Sequence, residues 1–186
     1  MEIRNQYDRV SITSVKSITL VALFSALTVS GRLLFAFIPN VQPVTSLIIL
    51  FTLLLGIRYG MVEAILVIVL SNLFLGFGIW TFGQILGYIV IVLLVGLLIR
   101  PNFKKIPFSV MILFAAAMGF LYGFIQALFQ IPFFGWGYFV AYYVSGLLFD
   151  VYHAVGNAIF YVILAPLLLP LLDKLLIDYG SNQLIE

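Results

Sequence analysis

Phe82-Gly83-Gln84-Ile85-Leu86-Gly87-Tyr88-Ile89-Val90-Ile91-Val92-Leu93-Leu94-Val95-Gly96-Leu97-Leu98-Ile99 contains no charge, and Arg100-Pro101-Asn102-Phe103-Lys104-Lys105-Ile106-Pro107 follows it at once. An uncharged run of this length matches the roughly 20 helical residues needed to cross hydrocarbon about 30 Å thick. Three bases at its end mark the side on which it stops. The rest of the chain agrees. Of its 186 residues 64% are hydrophobic and only 9% charged, and the mean hydropathy is +1.22. A soluble domain carries about 25% charged residues, because it needs a hydrated shell. Seven acids and nine bases cannot coat a globule of this size. The numbers exclude a cytosolic enzyme and a disordered chain. With no cysteine, a disulfide scaffold and a thiolate metal site are excluded too. The expectation is an all-α integral membrane protein forming one domain over residues 1–186. Continuous apolar runs, rather than alternating ones, argue against a β-barrel.

Working outward gives six transmembrane spans, at about 15–38, 44–56, 60–75, 82–99, 107–130 and 150–176. The second is short. Residues 133–149 are apolar and aromatic but interrupted by Gly135, Gly137 and Gly146, and read as a partly helical cap or re-entrant piece. With six spans, Arg4, Arg9, Lys16, Arg58, Arg100, Lys104, Lys105 and Lys174 all fall on one side. The positive-inside rule makes that side the cytoplasm and puts both termini there. A seventh span would move Lys174 outside. The first segment is expected to remain as a span, since its apolar run continues to Phe37, past the length of a signal-peptide core.

Familiar reaction chemistry is sparse. There is no G-x-x-x-x-G-K-[ST] loop for a nucleotide phosphate and no H-E-x-x-H. Asp150 and the lone histidine, His153, are one turn apart, but no serine stands in a nucleophile-elbow context. The basic residues are too few and too close to the membrane for nucleic-acid binding.

Polar residues gather toward the end of the spans away from the basic loops. Arg32 needs a partner or water at its depth; it can snorkel, pair with Asp150 or contact a ligand. The turn Ile38-Pro39-Asn40-Val41-Gln42-Pro43-Val44-Thr45 is stiffened by two prolines and offers Asn40, Gln42 and Thr45, as a plain polar turn or as a lid. Asn72 closes the third span. Trp80 is an interface anchor or a stacking wall. Gln84 and Tyr88, like Gln126 and Gln130, share helix faces, either for interhelical hydrogen bonds or for a ligand. Tyr142 joins this set. In Phe149-Asp150-Val151-Tyr152-His153-Ala154-Val155-Gly156-Asn157, Asp150, His153 and Asn157 share one face; Asp150 can also cap the helix start. These residues describe a ligand cup open to the outside over an apolar cytoplasmic half. Ala22, Ala26 and Ser30, spaced by four, form a small-residue stripe that permits close helix approach, inside the bundle or against another protein.

Ala22-x-x-x-Ala26 in the first span and Phe149-Asp150-x-x-His153-Ala154-x-Gly156-Asn157 at the start of the sixth, with the length and span layout, resemble the substrate-binding (S) components of energy-coupling factor (ECF) vitamin transporters. The resemblance implies a vitamin pocket near the outer surface, gated by residues 40–45, in a bacterial plasma membrane. It implies docking through Ala22 and Ala26 onto a transmembrane coupling subunit that carries two cytoplasmic ATPases, and uptake by toppling of the loaded subunit. No catalytic cofactor or metal is implied; the vitamin is the ligand. The stretch from Gly31-Arg32 to Val44-Thr45 looks like the cobalamin branch, and a cup with one base, one acid and many amides suits a bulky, weakly charged corrinoid. Pantothenate, riboflavin and folate are the alternatives. A lipid-modifying membrane enzyme using Asp150 and His153, and a ligand-free scaffold or channel subunit, are the readings from other classes.

Overall fold

The computed structural model describes residues 13–182, which contain helices and no strand. Arg4 and Arg9, assigned to the basic side, lie outside the described residues. Six α-helices follow in order: α1 Val15–Leu34, α2 Val44–Leu55, α3 Ile57–Leu75, α4 Ile79–Leu94, α5 Phe108–Phe129 and α6 Ile131–Asn182. Between α4 and α5 the chain continues through a π turn, Val95–Ile99, and a 3-10 segment, Arg100–Lys105. The basic linker expected as open loop is therefore helical in character.

Five helical stretches are long and apolar enough to cross a membrane. The exception is α2. Its 12 residues rise only about 18 Å, and all but Leu54 are buried. A helix this short tolerates its position because protein, not lipid, surrounds it. It is the centre of the molecule. Val44, Ile48, Ile49 and Leu50 pack with Val67 and Ile68 of α3, Tyr88 and Ile91 of α4, Met111 and Ala115 of α5 and Tyr161 of α6. On its other flank Leu47 and Phe51 meet Val21 and Phe24 of α1. The turn into α3 is a single residue, Gly56, at φ 91°, a conformation that glycine adopts without strain. Arg100 donates from Nε to the Leu53 carbonyl at 3.1 Å, satisfying one of the carbonyls that a helix end leaves free.

Glycines spaced by four set the spacing around α5. On α4, a side chain at Gly83 would meet Gln126 and Phe129, and one at Gly87 would meet the Tyr122 ring. On α5 itself, a Cβ at Gly119 would stand 2.6 Å from the Ala154 nitrogen, and one at Gly123 would collide with the Asp150 carboxylate. Asn157 Nδ2 donates to the Ala115 carbonyl at 3.2 Å. These contacts put α5 and α6 antiparallel and in close approach, as small residues allow in lipid.

Residues 133–149 differ from expectation. Only Gly135 breaks the helix, at φ 80° and ψ 174°. Gly137 and Gly146 are helical, and the segment after the break is the beginning of the helix that carries Asp150. Glycine is frequent in membrane helices, and neither Gly137 nor Gly146 takes a positive φ. Past the break α6 runs for roughly 70 Å, more than twice the hydrocarbon thickness of about 30 Å.

Candidate ligand-binding site

A cavity of about 600 Å³ opens at the end of the bundle opposite the linker Arg100–Lys105. Every major helix except α2 contributes to its wall. Arg32 comes from α1; Asn40 and Gln42 from the turn after it; Trp80 and Gln84 from α4; Tyr122 and Gln126 from α5; Tyr142, Phe149 and Asp150 from α6. Eight of the fourteen residues singled out in the sequence therefore line one recess: Arg32, Asn40, Gln42, Trp80, Gln84, Gln126, Tyr142 and Asp150.

One wall is a network of donors. Arg32, 5% exposed, donates to Ser71 Oγ and, at 3.1 Å, to Asn72 Oδ1. Asn72 Nδ2 donates in turn to Thr81 Oγ1 at 3.0 Å and to Gln84 Oε1 at 2.8 Å. Asn72 is thereby a buried strut joining α1, α3 and α4. With one acceptor site of its oxygen engaged, Gln84 keeps both amide N–H groups for the cavity, and Arg32 has further guanidinium N–H groups. The facing wall carries Asp150, which accepts hydrogen bonds and donates one only when protonated, and which stands over Gly123. Arg32 and Asp150 share the cavity without forming an ion pair with each other among the described residues. The recess thus sets the Arg32 guanidinium on one side and the Asp150 carboxyl on the other.

The remaining six residues do not line it. Thr45, Asn72, Tyr88, His153 and Asn157 are buried beneath or beside it. His153 Nε2 meets Thr45 Oγ1 at 2.9 Å, and its ring edge abuts Tyr122, with centroids 5.1 Å apart. Tyr88 packs on Tyr122 at 4.8 Å. Gln130, half-buried, sits past the end of α5 beside Tyr142. The shared face of Asp150, His153 and Asn157 descends along α6, and only its first member reaches the mouth.

The turn between α1 and α2 closes over α6. Asn40, at φ 56°, donates from Nδ2 to the Phe149 carbonyl at 3.3 Å. Val41 packs against Gly156, and Pro43 against Gly31. On the outside of α1, Ala22, Ala26 and Ser30 are exposed, while Val21, Phe24, Ser25, Thr28 and Arg32 face inward. Of the two places open to this stripe, inside the bundle or on its surface, α1 adopts the second. Glu63 is absent from the polar set that the sequence pattern singles out, yet it is fully buried against Ser25 and Thr28. A carboxylate inside an apolar span is the signal that marks it.

Fold and recess together define a class: a helical membrane protein of several spans with a solute-sized cup at one end. The chain belongs to the family of ECF transporter substrate-specific components, whose model matches residues 16–165, the whole of the cup included. Members of this family are binding subunits of transporters rather than enzymes. No curated protein and no solved structure matches the chain significantly.

Proposed function

We propose that the cup binds a vitamin on the outer side of a bacterial plasma membrane and that the protein delivers it to a transmembrane coupling subunit served by two cytoplasmic ATPases. The observation that carries this reading is the half-open cavity with a donor wall at Arg32 and Gln84 and an acid opposite, at Asp150. Such a surface fits a ligand rich in amides and nearly neutral overall. Cobalamin or a corrinoid precursor has that chemistry. A corrinoid is bulky, and the open mouth beside the half-exposed Trp80 leaves room for part of it to stand proud of the cup. The volume itself favours a second reading, a smaller vitamin such as riboflavin or pantothenate, which the cup encloses whole; ligand pockets commonly measure about 300–1,000 Å³.

The bases Arg58, Arg100, Lys104 and Lys105 at the far end support a cytoplasmic assignment for it, with α2 as a short sixth span and both termini inside. The exposed stripe of Ala22, Ala26 and Ser30 supports docking on the coupling subunit, and toppling then carries the cup across. The enzyme reading loses ground because His153 turns away from the cavity onto Thr45.

Calorimetric titration of the detergent-solubilised protein with cyanocobalamin, cobinamide, riboflavin, pantothenate and folate tests the ligand. Tight binding of the two corrinoids is the expected result. Binding of riboflavin or pantothenate alone transfers the assignment to the second reading. Silence from all five, or a lipid-modifying activity abolished by His153→Ala, defeats the proposal.

A further inference from the structure

Glu63 is fully buried in α3, outside the cavity. An ionisable group within a membrane span is costly and points to a role. Ser25 Oγ of α1 donates to its Oε2 at 2.5 Å. Thr28 Oγ1, also of α1, lies 3.0 Å from its Oε1 and 2.9 Å from the Phe24 carbonyl. No ion pair involves Glu63 among the described residues. The supply of protons permits two arrangements, and the cost of burying a bare charge favours the neutral one. The Phe24 carbonyl can only accept, and Thr28 has one hydroxyl proton to give. If that proton serves the carbonyl, the contact with Oε1 is a hydrogen bond only when the carboxyl carries the proton and donates it to Thr28. Then every group is satisfied and no bare charge is buried.

The same two helices are tied at two further heights. Ser17 Oγ and the Tyr59 hydroxyl are 2.9 Å apart, and Arg32 reaches Ser71 and Asn72. The three ties lie along the inward side of α1. Its outward side bears Ala22, Ala26 and Ser30.

We propose that Glu63, as a neutral hydrogen-bonding acid, is the positioning residue that clamps α1 to α3 into one strut, so that a ligand contact at Arg32 is transmitted along α1 to its small-residue face. The clamp follows from the contacts; its consequence for docking rests on the function proposed above.

The chain has no cysteine, so spin labels at Leu27→Cys and Ile65→Cys, both lipid-exposed positions, report the α1–α3 distance in bilayers. Glu63→Leu widens the distance distribution. Glu63→Gln, whose amide accepts from Ser25 and donates to Thr28, keeps the wild-type one. The double variant Ser25→Ala/Thr28→Val removes the knot from the other helix and widens the distribution in the same way. Co-purification with the co-expressed coupling subunit and ATPases falls roughly fivefold for Glu63→Leu, the scale of two interhelical hydrogen bonds, and stays within about twofold for Glu63→Gln. An unchanged distribution in both knot-breaking variants overturns the clamp. Failure of Glu63→Gln to rescue overturns the neutral acid. A widened distribution with undiminished co-purification overturns the link to docking. A wild-type chain that never associates with the coupling subunit defeats the docking reading instead, and the label distances still decide the clamp.

Discussion

Arg32 holds two neutral acceptors with part of its guanidinium and keeps the rest for the cup. A cation at this depth with no acid paired to it among the described residues suits a ligand that brings acceptors. Replacing it with methionine removes the charge but keeps an apolar stem. A charge-assisted hydrogen bond contributes about 1.5–3 kcal/mol, so Arg32→Met should weaken vitamin binding roughly 10- to 100-fold, read by calorimetry; an unchanged Kd removes Arg32 from the contact surface. Eight of the residues that reach the cavity are visible in the sequence, most of them as polar interruptions of apolar runs, such as Gln84 and Asp150; Phe35, Tyr122, Tyr143 and Ser145 line it too but do not stand out from their surroundings. Depth is not visible. Helical spacing puts His153 and Asn157 on the face of Asp150, but it does not say where the mouth ends, and both lie too low to line it. Glu63 is not legible as a clamp, because its partners Ser25 and Thr28 stand in another helix.

At the scale of elements, the turn between α1 and α2 is held by few bonds. Asn40 supplies both a positive φ and a hydrogen bond to Phe149, and the two contributions are separable. Asn40→Gly keeps the backbone and loses the bond, which is worth about 0.5–1.5 kcal/mol; vitamin dissociation should quicken roughly two- to tenfold in stopped flow. Asn40→Ala adds backbone strain and should release faster still. Equal off-rates in wild type and both variants exclude this turn from the gate. Deeper down, Gly119→Val drives a side chain into the backbone of α6. Overpacking of this kind costs about 1–3 kcal/mol and should lower the thermal midpoint in detergent, with Asp150 displaced and binding weakened together. Helix existence is plain from hydropathy, yet the course of residues 133–149 is not. Gly135, Gly137 and Gly146 look alike in a sequence, and only Gly135 adopts a conformation closed to other residues. The paired glycines of α4 and α5 have a recognisable spacing, but which helices they bring together is a tertiary fact.

For the molecule as a whole, binding and transport should come apart. Ala26→Trp or Ala22→Trp adds bulk on the outward side of α1, far from the cup. Each should leave the Kd within about twofold and reduce ATP-dependent uptake in vesicles by roughly tenfold or more, because close helix contact is lost; full uptake in both refutes docking there. The long α6 has a further consequence. From Ile106 to Phe149 the chain bears no Asp, Glu, Lys, Arg or His, and this stretch includes the part of α6 that overhangs the mouth. Tilting a charged overhang into oil would mean stripping water from ions. This one carries no ion, with the Phe134 ring tilted on Tyr138 and Tyr138 stacked on Tyr142, so under the toppling proposed above it would have only a few hydroxyl and N–H groups to strip of water as it sank among acyl chains, like an oar blade with little on it for the water to grip.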